Sequence, residues 1–255
     1  LEYSLTRELI RSNRAGSYAS STIIGCNTRK YHGLLVCPLE EVDGEHHVLL
    51  STLDATIVQH NKEFNLGIHK YEGDHYVPKG HKYVREFDIT KASYLVYRVE
   101  GVILSREVIL VSEAEQVLIK YTLLDAHSDT LLRLQPFLAC RNFHTLGKAN
   151  LDANTRYKEV DNGIMSKLYK GYPGIYMQCS KPVDFIPVPD WYFNVEYMEE
   201  QKRGYDYKED LYVPGYFEMP MKKGESVVFS ASTSEVAPGG LKKKFTFERK
   251  NRISK

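Results

Sequence analysis

From residue 94 onward the chain alternates apolar and polar positions with a period of two, and turn residues separate the runs. That is the pattern of half-buried strands in a meander. The clearest series covers residues 94–99, 102–111 and 117–124, separated by Glu100-Gly101 and by residues 112–115. In the third run Val117, Ile119, Tyr121 and Leu123 share one face, with Lys120 and Thr122 opposite. Residues 131–140 continue the pattern. Pro136 cannot donate to a ladder, so it predicts an edge position or a bulge there. Residues 163–168, 174–180, 216–221 and 225–233 extend the series, with Asn162-Gly163 and Lys223-Gly224 as turn signals. Residues 48–59 and 62–71 form an earlier pair around His60-Asn61, and Gly33 to Val36 reads as a buried strand. Only 195–203, stopped by Gly204, and 241–253 suggest helix. So many strands in one chain predict an all-β fold of two stacked antiparallel sheets, which fits the count better than a closed barrel.

The 255 residues suit one large sandwich. We divide them into a β domain over 1–240 and a basic segment over 241–255. The latter follows Pro238-Gly239-Gly240, carries Lys242, Lys243, Lys244, Arg249, Lys250, Arg252 and Lys255, and is expected to be a linker, helical or frayed, toward a further domain. The charge balance, 34 basic against 33 acidic residues, provides no global field for nucleic acid. No apolar run approaches the length of a membrane-spanning helix. Cys26, Cys37, Cys140 and Cys179 are far apart and flanked by apolar residues, as buried free thiols would be. This favours a reducing compartment, the cytoplasm, although a chain opening at Leu1 is compatible with a removed signal peptide.

Two segments carry candidate chemistry. Residues 27–36, NTRKYHGLLV, set Arg29, Lys30, Tyr31 and His32 against the start of the buried strand, which would hold them in fixed directions. Residues 190–211 mix aromatics with charges: Trp191, Tyr192, Phe193, Tyr197, Tyr205 and Tyr207 beside Glu196, Arg203, Asp206, Glu209 and Asp210. Rings can stack on pyranose faces while charged groups bond hydroxyls, so the combination suits a carbohydrate. The alternative is that the rings fill the space between sheets and the charges are solvated. For His32 the two readings are a hydrogen-bond donor to a ligand and a brace for its turn. The sequence-adjacent pairs Glu199/Glu200 and Glu209/Asp210 are poorly spaced for glycosidase acid and base work. Evenly spaced His69, His75 and His81 lack metal-site geometry and are expected at the surface. No cofactor is expected, and no nucleophile or phosphate-loop motif is present.

These residues resemble a family, the N-terminal domain of bacterial and archaeal glycogen debranching enzymes (amylo-α-1,6-glucosidases). The resemblance is carried by residues 8–36, ELIRSNRAGSYASSTIIGCNTRKYHGLLV, and residues 191–217, WYFNVEYMEEQKRGYDYKEDLYVPGYF. The family generally has glycines where this chain has Arg14 and Ser17, which leaves open the form of the turn around residues 13–18. The resemblance implies a supersandwich of two large antiparallel sheets, as in galactose mutarotase-like and glucoamylase N-domains. It also implies that hydrolysis belongs to a downstream (α/α)6 barrel. The chain would then be non-catalytic and would help shape an α-glucan site, for glycogen or a malto-dextrin. Its substrate-facing residues would be Arg29, Tyr31, His32, Trp191, Tyr192, Arg203, Asp206, Glu209 and Asp210, with none catalytic. The alternatives are an independent α-glucan-binding module, a mutarotase-like epimerase using His32 and Glu196, and a purely structural support for the barrel.

Overall fold

The computed structural model describes residues 1–88 and 93–253. Among these, two eight-stranded antiparallel sheets stack face to face, with a small two-stranded ribbon beside them. The first sheet runs in the order Glu8–Ser12, Tyr18–Thr22, Gly33–Pro38, His46–Gln59, Thr130–Asn142, Lys208–Met221, Asp184–Glu196, with Lys62–Asn65 paired to His46–Gln59. The second runs Tyr157–Val160, Gly163–Ser166, Ile175–Cys179, Ser226–Ser232, Gln116–Asp125, Val102–Leu110, Ser93–Val99, Val84–Asp88. The two-sheet prediction therefore holds.

Period-two alternation decides which side chains meet between the layers. Leu35, Leu49, Leu134 and Phe217 from the first sheet share one core with Leu104, Ile119, Tyr121, Val227 and Phe229 from the second. Phe217 and Phe229 touch across the layers, ring centroids 5.7 Å apart. The turns are built as their residues require. His60 and Asn61 both take positive φ, 51° and 58°, and Glu100 and Gly101 do the same at 41° and 84°. This is the mirror-image geometry that matches the strand twist in a two-residue hairpin. The turn without the family's extra glycines closes through Gly16 at φ 79°, and the Ser17 N–H donates to Asn13 Oδ1 at 2.8 Å.

Three expectations are corrected. Pro136 lies in a central strand, between His46–Gln59 and Lys208–Met221, and is tolerated because the register shifts around Leu134, Phe137 and Leu138; the bulge reading holds and the edge reading does not. The run 62–71 breaks into Lys62–Asn65 and His69–Tyr71. At Gly67 a Cβ would come within 2.3 Å of the Asp54 carboxyl group, so the chain crosses too close to its neighbour to keep pairing. His69 is buried, its Nε2 2.9 and 3.0 Å from the Asp54 carboxylate oxygens, whereas His75 is exposed.

Both outer faces are covered. Val36, Val48, Phe137, Val195, Leu211 and Val213 form an apolar patch on the outer side of the first sheet. The ribbon His69–Tyr71/His75–Val77 contributes Tyr71 to it. On the other side, Leu241–Ile253 is a helix whose Leu241 and Phe245 pack on Ile109, Leu118 and Val228. Its polar contacts are long-range as well: Glu248 Oε2 accepts from Ser112 Oγ at 2.6 Å, and Lys244 Nζ donates to Gln116 Oε1 at 2.6 Å. No helix among the described residues is long and apolar enough to cross a membrane.

Candidate functional site

The two chemistry-bearing segments, separated by some 160 residues of sequence, meet on the outer side of the first sheet. The Glu199 N–H donates to the Thr28 carbonyl at 3.0 Å, and Arg29 pairs with Glu8 at 2.7 Å and reaches Glu199 at 3.9 Å. Arg141, near the end of Thr130–Asn142, ties them from beneath. Its guanidinium forks onto Glu209, with Nη2 3.0 Å from Oε1 and Nε bonded to Oε2, and Nη2 also donates to the Lys30 carbonyl at 2.8 Å. Glu209 additionally accepts from Tyr197 Oη at 2.6 Å and from the Gly147 N–H at 2.7 Å. Arg141, Tyr197 and Glu209 are all buried. A bidentate, charge-assisted pair with its remaining lone pairs filled is a rigid strut.

A parallel strut stands beside it. Asp210 accepts the Ala149 and Asn194 N–H groups, both at 2.9 Å. Buried Lys70, from the ribbon, meets buried Glu196 at 2.6 Å. Asn194 has φ 57°, the irregularity that shifts the register between Tyr192 and Val195 and turns the edge strand toward the short helix Met198–Lys202. Buried Glu200 in that helix has neither carboxylate oxygen partnered among the described residues.

The candidate residues therefore separate into two groups. His32, Glu209 and Asp210, expected to face a ligand, face the protein. His32 is 2 % exposed, and its Nδ1 accepts the Thr28 N–H at 3.0 Å, which makes it the brace of its turn. Burial, with the Arg29 cation beside it, pushes its pKa down to about 3, so it is neutral at ordinary pH. Glu196, the other half of the epimerase pair, is likewise buried and held by Lys70. Trp191 and Tyr192 sit half-buried on opposite faces of the edge strand. Trp191 packs on Tyr212 at 5.4 Å toward the inter-sheet core, and Tyr192 packs edge-on to Phe137 at 4.8 Å with its Oη accepting from Gln135 at 3.2 Å.

Arg29, Tyr31, Arg203 and Asp206 remain at the surface. Lys30 joins them there: its ammonium lies 5.3 Å from the Tyr31 ring centroid and 5.8 Å from that of Tyr205, a cation shared by two rings. Sequence reasoning missed Phe143 and His144, whose rings lie 5.4 and 5.7 Å from that of Tyr31, both edge-on. They sit where a central strand runs out, and their only signal was two aromatic-type residues directly after a strand, too common to single out. Among the described residues no group of three or more His, Cys, Asp or Glu side chains is arranged to hold a metal ion.

A profile of the family described as "Glycogen debranching enzyme N terminal" matches residues 7–228, nearly the whole chain. The chain belongs to this family. The match contains both segments that meet at the Arg141 strut. Among curated proteins none matches significantly. Solved structures similar in outline include a bacterial glucoamylase complexed with acarbose, at 7% identity and TM-score 0.49, covering 98% of this chain and 35% of that one. A polysaccharide lyase matches at 9% identity and TM-score 0.32, covering 96% and 34%. The chain thus spans about a third of the length of either.

Proposed function

We propose that this glycogen debranching enzyme N-terminal domain is the non-catalytic part of an amylo-α-1,6-glucosidase. It lends one wall to an α-glucan site whose acid and base lie on a downstream catalytic domain. The observation that carries this reading is the convergence on one surface of residues 27–36 and 190–211, both within the family match, fixed from below by Arg141 and Glu209. The chemistry of the carboxylates supports the division of labour. Glu209, Asp210 and Glu196 spend their oxygens on protein donors, which makes them scaffolding rather than acids or bases that must exchange protons with a substrate. Tyr31, Arg203, Tyr205 and Asp206 are left facing outward to meet a glucan. The four buried free thiols support a reducing compartment, the cytoplasm.

The test uses a polypeptide that carries this chain together with its catalytic domain. Tyr205→Ala and Arg203→Ala should each raise KM for a branched limit dextrin by several-fold, with a smaller change for a disaccharide-sized substrate that cannot span the wall. Wild-type KM for both substrates in both variants would overturn the proposal.

A further inference from the structure

The outer surface beside the strut carries a second feature, built from residues of four separate segments. Tyr31 lies edge-on to both Phe143 and His144. Phe143 and His144 lie 4.1 Å apart, and His46 adjoins Phe143 at 5.5 Å. His144 is exposed, Tyr31 and Phe143 are half-buried, and Tyr205 is 59% exposed across the Lys30 ammonium. The group is held at its backbone: Tyr18 Oη donates to the Tyr31 carbonyl at 2.8 Å, Arg141 to the Lys30 carbonyl at 2.8 Å, and the Phe143 N–H to the His46 carbonyl at 2.9 Å. Partly exposed rings fixed in advance bind at little ordering cost. Polar tips stand among them: Tyr31 Oη lies 3.3 Å from His144 Nδ1, and among the described residues Lys30 makes no ion pair. Ring faces interleaved with hydroxyl, imidazole and ammonium groups suit a neutral polyhydroxylated ligand with apolar C–H faces.

Resting on the debranching-enzyme reading, we propose that Tyr31, Phe143, His144 and Tyr205, with Lys30 between them, form a subsite that grips an α-glucan chain by stacking. The chain then binds a malto-oligosaccharide on its own, through this surface and not through Trp191, which packs toward the inter-sheet core. The affinity of a few stacked rings on an open surface is in the millimolar range.

Calorimetric titration of the 255-residue chain with maltoheptaose, with a cello-oligosaccharide of similar length as the stereochemical control, tests this. Binding of maltoheptaose that weakens about tenfold in Phe143→Ala and in His144→Ala, and stays within about twofold in Trp191→Phe, is the expected result; a tenfold loss is about 1.4 kcal/mol. Hydrogen exchange of the unmodified chain covers the case of a variant that fails to fold: maltoheptaose should slow amide exchange in 141–146 and 28–32 while leaving 241–250 unchanged. No heat and no protection with maltoheptaose would overturn the subsite, yet leave the wall reading to its own kinetic test. Binding that is unchanged in Phe143→Ala and His144→Ala, or equal for the cello-oligosaccharide, would overturn it as well.

Discussion

Arg141→Ala removes a buried guanidinium from a buried carboxylate, and the structure gives the size of the effect. In the variant Glu209 keeps the Tyr197 hydroxyl and the Gly147 N–H but loses both guanidinium contacts, and the Lys30 carbonyl loses its donor. Breaking one side of a buried pair typically costs about 3–5 kcal/mol, because the other charge stays desolvated without compensation. Set against a total stability of about 5–15 kcal/mol, that is a large fraction. At about 2–4 °C per kcal/mol for a domain of this size, the melting temperature should fall by about 10 °C. Urea unfolding is easily followed here, because Trp191 is the single tryptophan and its half-buried ring rests on Tyr212. The double variant Arg141→Met/Glu209→Gln removes both charges and should recover at least half of the loss, since an uncharged pair of similar volume leaves no orphaned ion. A single variant within about 1 kcal/mol of wild type, or a double variant less stable than the single one, would refute the strut.

Further outcomes follow from individual groups. His32 titrates at about 3 in the fold against about 6.5 unfolded, so the unfolded chain takes up the proton first and stability is lost as pH falls from 6.5 toward 3. By pH 5 this amounts to about 2 kcal/mol, and His32→Asn, which keeps an acceptor for the Thr28 N–H, should flatten the pH dependence of the urea midpoint between pH 7.5 and 5. Glu200→Met, which removes two buried oxygens without hydrogen-bond partners among the described residues, should raise stability by about 1–3 kcal/mol; a lowered urea midpoint would contradict that. Phe245→Ala, at a site 1% exposed on the second sheet, should cost about 3–5 kcal/mol, whereas a surface helix resting loosely would lose under about 0.5 kcal/mol.

The sandwich was legible because its inter-sheet strands alternate, as from Ile119 to Leu123, and because glycine and asparagine mark the hairpins at Glu100-Gly101 and Asn162-Gly163. The strand Asp184–Glu196 was not legible. It is an edge strand with Pro187 and Pro189, its register slips twice, and much of it is exposed, so neither burial nor pairing imposes a period. Lys208–Met221 was seen only in its second half. In the first half Glu209 and Asp210 are buried charges, and composition cannot distinguish a buried strut from a solvated loop. For the same reason Glu209, Asp210 and His32 looked like ligand groups: their partners, Arg141, Ala149 and Thr28, are fixed by folding and not by proximity to a motif. Tyr31 could be found from its motif, but its neighbours Phe143 and His144 arrive from a strand end more than a hundred residues away.

Glucose release from a branched limit dextrin decides whether hydrolysis lies outside this chain, comparing the 255-residue chain with a polypeptide that adds the catalytic domain. The longer polypeptide should turn over the dextrin and the chain itself should release no glucose above background. Sustained glucose release by the chain alone, abolished by substitution of its own carboxylates, would contradict this.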